Sequence, residues 1–372
     1  MTTRDTPLAE RANDGTPQYN DTVEESYRRL QYRTSIYAEI PKPGSGLRLG
    51  IYQAEAACGE GATDKNMRRL ELAVGHAKRF DVGLLTFPEL FVPGYTLDRY
   101  SARAVSEYKD GPSISRARQI ARDNAMGLVV PYGEKVDGPG GRTSHFDSIA
   151  VIDEHGQLLD SYRKTHLYAQ QERDDWDIGD SDFPVHRIQD FPVGILNCYE
   201  CEFPELVRIL ALKGAKLIVG PTAADTYYRL PNGERSRVPY PDVSRVQFAA
   251  HAFANNLFFA YSNHCGYESR GGDAWHYRGN SIVYGPHGDT VVAAGHQQDT
   301  LLVADCVPAF YGRTHPEPGF HYLKDRRPEL YQQLVARDAR FIDITDRDVD
   351  EQTDLFEGGF SYPGSQAGKT IE

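Results

Sequence analysis

Between about residues 47 and 306, two kinds of segment alternate along the chain. One kind is a short apolar run, and the other has apolar residues at helical spacing. The run LRLGIYQAEA at 47–56 alternates as a strand does, whereas residues 64–80 space their apolar side chains as an amphipathic helix does. The same criteria predict strands at 81–89, 127–134, 193–197, 216–221, 257–263 and 300–306, and helices at 113–126, 203–215 and 242–256.

Two further segments, 148–164 and 280–294, have the pattern of antiparallel hairpins that turn near Gly156 and Gly288. Strands that alternate with helices indicate an α/β protein. Because the hairpins add antiparallel pairs, the pattern predicts mixed sheets and disfavours a parallel barrel or a plain dinucleotide-binding fold.

The two ends of the chain differ from this central region. Residues 1–46 are polar and rich in charge, threonine and proline, so we expect an extension that packs on the domain or on a partner. Residues 47–310 are expected to form the folded domain, and the acidic stretch 311–372 an accessory arm. A chain of 372 residues can bury a core without the help of disulfides or metals.

Composition and charge exclude several classes of partner. The net charge of −12 argues against nucleic acid or an anionic membrane, because both require basic surface. The first residues contain no apolar signal region, and no stretch approaches the roughly 20 apolar residues of a membrane span. Five cysteines in a chain of this length indicate reduced thiols, so we expect a cytoplasmic protein.

Two of these cysteines, Cys198 and Cys201, have C-x-x-C spacing in GILNCYECEFPE, which allows two interpretations. A zinc or redox site would need more ligands at matching spacing, and Cys58, Cys265 and Cys306 are isolated. Cys201 is more typical of a buried packing residue. Cys198 follows a buried strand, which is where α/β enzymes expose reactive side chains.

A thiol nucleophile needs a base, and the chain offers candidate groups at other strand ends. Glu89 ends LLTFPE, Glu134 ends VVPYGE, and Lys164 follows the first hairpin. A lone strand-end glutamate is more often a salt-bridge partner, and a lone lysine is usually a solvated charge. Three such residues together with Cys198 favour a catalytic site.

The segments around these residues resemble the nitrilase, or carbon–nitrogen hydrolase, superfamily over about residues 47–306. The resemblance is carried by FPELFVPGY around Glu89, YRKTHL around Lys164 and GILNCYECEFPE around Cys198, in that order along the chain. One departure is Ala254, where many relatives carry a glutamate, and it implies altered packing or an altered interface rather than lost activity.

The resemblance implies a four-layer αββα sandwich with two mixed sheets and a covalent route through a thioester. In this scheme Cys198 is the nucleophile and Glu89 is the general base. Lys164 and the backbone N–H of Tyr199 stabilise the oxyanion, and Glu134 helps to position the substrate and holds Lys164. The resemblance implies neither a metal nor a cofactor.

The residues after the nucleophile bear on the substrate. Tyr199 stands where true nitrilases commonly carry tryptophan, and this position is tyrosine in many amidases. N-carbamoyl amino acid hydrolases tend to place arginine nearby, whereas this chain has carboxylates at 200 and 202. Glu202 could bind an ammonium group of the substrate, although a scaffold contact or a helix-capping role is the more common use of such a residue.

We therefore predict a cysteine-dependent amidase that converts a small aliphatic or amino-acid-derived amide to carboxylate and ammonia. A nitrile hydrolase, an N-carbamoyl hydrolase and an acyltransferase with the same thioester remain alternatives. Tyr95 is expected to form a pocket wall, and the long aromatic loop 224–241 to line the pocket mouth or an oligomer contact. The resemblance also implies a homodimer or a larger homo-oligomer.

Overall fold

Two large mixed sheets pack face to face, and helices cover the outer face of each sheet. The computed structural model describes residues 30–59, 61–227, 235–239, 241–270, 273–312, 315, 317 and 319–336. Up to Leu323 these residues belong to one unit, which is a four-layer αββα sandwich, as predicted. The described residues of a second unit, from Lys324 onward, form two short turns of 3₁₀ helix, Pro328–Leu330 and Gln332–Val335.

Seven strands form the first sheet. They are β1 Gln31–Ser35, β2 Leu47–Gln53, β3 Leu84–Thr86, β4 Gly127–Asp137, β5 Thr143–Ile152, β6 Leu158–Arg163 and β15 Thr300–Cys306. Their order in the sheet is β1-β15-β2-β3-β4-β5-β6. The pairs β1–β15, β2–β3 and β3–β4 are parallel and the other pairs are antiparallel, so the sheet is mixed.

Six strands form the second sheet. They are β7 Val185–Ile188, β8 Phe191–Ile195, β9 Leu217–Thr222, β10 Phe258–Asn263, β13 Ile282–Tyr284 and β14 Thr290–Ala293. Their order is β14-β13-β10-β9-β8-β7, with parallel pairs only at β8–β9 and β9–β10. A separate hairpin consists of β11 Tyr267–Arg270 and β12 Asp273–His276.

Helices occupy the outer layers and the loops around the sheets. They are α1 Ala62–Lys78, α2 Arg99–Val105, α3 Pro112–Asn124, α4 Ala169–Asp175, α5 Pro204–Leu212 and α6 Ala249–Asn255, the last preceded by a π-helical turn, Ser244–Phe248. Short 3₁₀ turns lie at Pro139–Gly141, Cys198–Glu202 and Pro308–Phe310. Every helix in the described part of the chain is too short or too polar to cross a bilayer.

The alternation of side chains along the strands explains the four layers. On β2, Leu49 and Ile51 face the core between the sheets, whereas Tyr52 faces the outer layer that contains α1. On β10, Phe258 faces the same central core and Phe259 packs against the layer of α5 and α6. Since both faces of interior strands such as β2 and β10 are buried, these strands are nearly continuous apolar runs.

The described part of the predicted N-terminal extension contributes a strand to the sandwich. Within it, β1 pairs in parallel with β15 at the edge of the first sheet. Residues 1–29 and 337–372 lie outside the described residues, so the predicted domain limits at 46 and 310 stay predictions.

Most of the predicted elements are present, with three kinds of difference. The predicted strand 81–89 is only Leu84–Thr86, because the chain leaves the sheet before Glu89. The predicted helix 242–256 begins as a π-helical turn at Ser244. Short elements that the pattern did not predict are β1, α2, α4, β7 and the β11–β12 hairpin.

Candidate active site

Residues that follow strands of both sheets meet at one place. Glu89 follows β3 and Lys164 follows β6, and the Lys164 Nζ donates to Glu89 Oε1 at 2.5 Å with both side chains fully buried. Cys198 follows β8 of the second sheet. Glu89 raises the pKa of its thiol and Lys164 lowers it, so the thiol lies within electrostatic range of both side chains.

The backbone of Glu89 is held between the two sheets. Its N–H donates to the carbonyl of Thr222, at the end of β9, at 3.3 Å. Its carbonyl accepts from Nε2 of His264, which follows β10, at 2.6 Å. Burial lowers the pKa of His264, so the ring is neutral, and Nε2 carries the hydrogen because a carbonyl only accepts. Both contacts come from the second sheet and fix a residue of the first.

Glu172 is a second carboxylate on Lys164 that the sequence did not suggest. Its Oε2 accepts from Lys164 Nζ and from the N–H of Tyr168, both at 2.7 Å. Its Oε1 accepts from the hydroxyl of Tyr95 at 2.7 Å. In the sequence Glu172 stands in the charged run ERDD, which looks like a solvated helical face. The sequence signal for a buried face was Trp176, an aromatic residue four positions later, which the structure buries.

Lys164 lies among three acidic side chains. Besides Glu89 and Glu172, the Asp147 Oδ2 lies 3.6 Å from its Nζ. Burial lowers the pKa of Lys164, but Glu172 and Glu89 more than offset this effect and hold the pKa well above its usual range. Burial raises the pKa of Glu89, Lys164 opposes that rise, and Glu172 adds to it. Lys164 is therefore a fixed cation next to a carboxylate of increased basicity.

The same three carboxyl groups lie close enough together to suggest a metal site, with ligand oxygens within 4.8 Å of one another. The ammonium of Lys164 takes the place of a cation among them, because it bonds two of the carboxyl groups and lies near the third. These residues therefore form a lysine-centred cluster.

Glu134 does not hold Lys164, and the prediction that it does is wrong. Its carboxylate accepts from Arg163 Nε at 2.8 Å and Nη2 at 3.1 Å, and from the hydroxyl of Ser148 at 2.9 Å. Successive side chains at a strand end point to opposite faces, so Arg163 and Lys164 have different surroundings. Glu134 lies on the side of Arg163, and Glu172 makes the contact that was expected of Glu134.

Cys198 occupies an unusual backbone position. It is the first residue of the 3₁₀ turn and has φ of 51°, in the left-handed region that non-glycine residues rarely adopt. The Glu200 carboxylate secures the turn by accepting from the N–H of Asn197 at 2.8 Å, the hydroxyl of Tyr162 at 2.6 Å and the N–H of Thr165 at 2.6 Å. Glu200 thus ties the cysteine turn to the residue after Lys164.

Tyr199 contributes to the site in two ways. Its backbone N–H lies in the first turn of the 3₁₀ segment, where no acceptor within the turn is available. Its ring packs against Tyr168 and Phe203, with centroids 5.5 and 4.9 Å away. The N–H follows directly after the thiol-bearing residue, and its role toward an oxyanion stays a prediction.

A cavity of about 440 Å³ opens beside the thiol. Cys198, Tyr95, Tyr199 and Glu202 all line it, so these predicted residues share one pocket. Asp225, Tyr227 and Pro241 of the loop 224–241 line it as well, whereas residues 228–234 and 240 of that loop lie outside the described residues.

Cys201 has different surroundings from Cys198. Its side chain is buried in the apolar cluster beneath α5, and burial raises the pKa of its thiol well above the usual range. None of the five cysteines, all of which the structure describes, forms a disulfide. The two cysteines of the C-x-x-C spacing therefore face separate environments, which does not suit a zinc or redox pair.

Comparison with known proteins adds a family to this geometry. The family model described as carbon–nitrogen hydrolase matches residues 48–315. A Pseudomonas protegens protein described as "Hydrolase in pqqF 5'region" is 34% identical over 273 residues, which is 73% of this chain and 87% of that protein. An N-carbamoylputrescine amidase of Oryza sativa is 27% identical over 309 residues, or 80% of this chain and 97% of that protein.

Solved structures give a similar result. A mutant of the amidase from Nesterenkonia sp. AN1 superimposes with a TM-score of 0.60 at 29% identity, covering 80% of this chain and 100% of that one. That structure is described as having the acetamide moiety of fluoroacetamide added covalently at the active-site cysteine.

Proposed function

The chain belongs to the carbon–nitrogen hydrolase family, and from this premise we propose that it hydrolyses a small aliphatic or amino-acid-derived amide through a thioester on Cys198. The observation that supports this most directly is the position of the Lys164 ammonium. It is held at 2.5 Å from Glu89 and 2.7 Å from Glu172, and its charge acts on a cavity-lining thiol.

The first step is deprotonation of the nucleophile. Burial raises the pKa of the Cys198 thiol well above its usual range, Glu89 adds to the rise, and Lys164 opposes it. The resting thiol is therefore neutral and needs a base. Glu89 takes the proton while sulfur attacks the amide carbon, and the tetrahedral oxyanion forms beside Lys164 and the N–H of Tyr199.

The second step releases ammonia and then the acid. Protonated Glu89 gives its proton to the leaving nitrogen as the carbon–nitrogen bond breaks, which leaves the acyl group on sulfur. Glu89 then takes a proton from water, whose oxygen attacks the thioester carbon. When the carbon–sulfur bond breaks, Glu89 returns this proton to the sulfur, so that Cys198 leaves as the thiol and Glu89 is again a carboxylate. Glu172 keeps Lys164 charged and in place throughout both steps, because it is a fixed anion held by two other donors.

The cavity suggests a substrate that carries an ammonium group. Among the described residues no hydrogen bond or ion pair holds the Glu202 carboxylate, which lines the cavity, and burial raises its pKa. Asp242 also lines the cavity, but its carboxylate already has partners, because it accepts from Arg245 at 3.2 Å and from Asn280 at 2.9 Å. An unpaired, partly buried carboxylate favours a cationic partner over a neutral one.

A carbamoyl amine is the second candidate substrate. The same Glu202 would bind its distal ammonium, and the Oryza sativa relative is described as an N-carbamoylputrescine amidase. The residues directly after Cys198 in the sequence include no arginine, which argues only against carbamoyl compounds with a carboxylate and leaves this candidate in place. Arg278 does line the cavity, but its guanidinium lies 3.8 Å from the Asp242 carboxylate.

Ammonia release from a panel of neutral amides, amino-substituted amides, carbamoyl amines and nitriles tests the proposal. We expect release from amides and a loss of about 10⁴-fold or more in the Cys198→Ala variant, with Cys201→Ala as the matched control that keeps activity. Added hydroxylamine should yield a hydroxamate. Release from nitriles alone would overturn the proposal.

The Glu202→Gln variant tests the substrate class. Because it removes a charge at the cavity wall, we expect its KM for amino-substituted substrates to rise about 10-fold and its kinetics on neutral amides to change little. Equal effects on both substrate groups would contradict an ammonium-binding role.

A further inference from the structure

Asp147 is a buried carboxyl group for which neither sequence reasoning nor the reaction scheme has a use. It lies on β5 and its residue is 1% exposed. Its backbone carbonyl accepts from the N–H of Lys164 at 2.9 Å, so its position is fixed against the residue at the centre of the site. The titratable groups that face its side chain are Glu89 after β3, Lys164 after β6 and Glu172 of α4.

Hydrogen bonding around Asp147 is incomplete if every carboxyl group is ionised. Both of its side-chain oxygens, and Oε2 of Glu89, are buried and have no donor among the described residues. Lys164 Nζ bonds Glu89 and Glu172 and stays 3.6 Å from Asp147. A buried carboxylate with no donor is costly, and here it would lie beside two further anions.

One proton removes the conflict. A carboxyl oxygen of Asp147 lies within 4.8 Å of one of Glu89, and each group has an oxygen without a donor. A protonated carboxyl group can donate a hydrogen bond where a carboxylate cannot. We propose that Asp147 is a positioning residue that carries a proton at neutral pH and donates it as a hydrogen bond to Oε2 of Glu89.

In this arrangement each oxygen of Glu89 has one donor, Lys164 on Oε1 and Asp147 on Oε2. The base is then held in one orientation and stays ionised at neutral pH, and the cluster has one less negative charge near the thiol. Burial raises the pKa of Asp147 well above its usual range, Glu89 adds to the rise, and Lys164 opposes it, which agrees with the placement of the proton.

The inference rests on the proposed role of Glu89 as base, so its test uses readouts that need no substrate. The first is the infrared spectrum at neutral pH. We expect the C=O stretch of a protonated carboxylic acid in the wild-type protein and its loss in Asp147→Asn, whereas Glu134→Gln leaves the band in place. The absence of such a band in the wild type overturns the inference.

The second readout is the rate at which iodoacetamide alkylates Cys198 as a function of pH, with Cys198→Ala as the blank for other thiols. Alkylation should fall as pH falls, because a protonated Glu89 cannot accept the thiol proton. The midpoint of this fall reports the pKa of the Glu89–Asp147 pair.

Two variants give opposite predictions for the two charge states of Asp147. If Asp147 is protonated, the amide of Asp147→Asn replaces the donor and the midpoint stays within about 0.5 pH unit, whereas Asp147→Ala removes the donor and raises the midpoint by about 1–2 pH units. If Asp147 is ionised, both variants remove a negative charge and both midpoints move down.

Each outcome therefore decides the question. Downward shifts in both variants, or no shift in either, overturn the inference. If Asp147→Ala does not fold, the infrared band and the direction of the Asp147→Asn shift decide it. Ammonia-release assays on the same samples test the proposed function separately. The infrared band and the alkylation midpoints need no substrate, so they report the charge state of Asp147 even if the protein has no amidase activity.

Discussion

At the scale of single residues, the ammonium of Lys164 organises the chemistry of the site. It is fully buried, bonds Glu89 and Glu172, and has Asp147 nearby. The removal of one partner from such a cluster leaves an uncompensated buried charge, which costs far more than the loss of a surface pair. Substitutions here therefore affect the charge state of the whole site.

Glu172→Gln and Glu134→Gln test which carboxylate supports Lys164. Because Glu172 bonds Lys164 directly and Glu134 bonds Arg163, we expect Glu172→Gln to lower kcat/KM by about 10²-fold or more and Glu134→Gln to change it by about 3-fold or less. The measurement is steady-state ammonia release on whichever amide the panel identifies.

Thermal unfolding provides the control for this pair of variants. Glu134→Gln weakens a buried carboxylate–guanidinium pair and should lower stability without the catalytic loss. A catalytic defect in Glu134→Gln as large as that in Glu172→Gln would support the role for Glu134 in holding Lys164 that was predicted from the sequence.

Strand ends made part of this site predictable. Glu89, Lys164 and Cys198 each follow an apolar run, and α/β proteins place such residues together at the carboxyl ends of their strands. Glu172 was missed because it lies on a short helix within a charged run, where only the fold decides which carboxylate is buried. Glu134 was misplaced because the sequence does not show which of two adjacent cations, Arg163 or Lys164, faces it.

At the scale of elements, β9 and the cysteine turn approach each other closely. A Cβ built at Gly220 on β9 would lie 2.5 Å from the Sγ of Cys201, closer than two such atoms can approach. Glycine at this position therefore lets the strand pass beneath the turn that carries Cys198. The other neighbours of that Cβ lie at 3.7 Å or more, so the thiol is the sole conflict among the nearest atoms.

Gly220→Ala should destabilise the protein by about 1–3 kcal/mol, because an added methyl group in a close-packed core displaces its neighbours. Chemical denaturation measures the loss. The double variant Gly220→Ala with Cys201→Ala should recover most of it, since Cys201→Ala removes the conflicting sulfur. A double variant whose losses simply add would exclude this contact as the cause.

The sequence pattern predicted long elements better than short ones. Strands such as Leu47–Gln53 follow from alternation, whereas β11 owes its position to tertiary contacts. The Glu268 carboxylate on β11 accepts from the N–H groups of Tyr95 and Thr96, at 3.0 and 2.7 Å. No local sequence pattern predicts such a contact. The contact holds the segment that follows Glu89 in place.

At the scale of the whole molecule, one buried ion pair joins several parts of the chain. Arg48 on β2 donates to Asp305 on β15 at 2.7 and 2.9 Å. The same carboxylate accepts from the N–H of Tyr37, and Arg48 donates to the carbonyls of Tyr37 and Phe80. The pair thus connects the segment after β1, the end of α1 and the neighbouring strands β2 and β15.

Asp305→Ala should lower the free energy of unfolding by about 3–5 kcal/mol, because Arg48 would remain buried without its counter-charge. Denaturant unfolding provides the measurement. The exposed pair Arg116–Glu71 is the matched control, and Glu71→Ala there should cost no more than about 1 kcal/mol. Similar losses in the two variants would contradict a structural role for the buried pair.

The predicted homodimer concerns this scale too and stays a prediction. Ile209 and Leu212 on α5 expose 36% and 47% of their surface, and Val246 in the π-helical turn before α6 exposes 73%. These exposed apolar side chains of the outer helical layer are the residues at which we expect a contact with another copy.

The place of β15 in the first sheet has a consequence for the newly made protein. Thr300–Cys306 enters between β1 and β2, although among the described strands it is the last to be synthesised. A nascent chain that has emerged only to residue 299 holds every acid, thiol and ammonium of the site but cannot close the sheet that carries Glu89. We therefore expect ribosome-bound chains of that length to have no catalytic activity. Cys198 should become reactive only after β15 has been translated and has paired in the sheet.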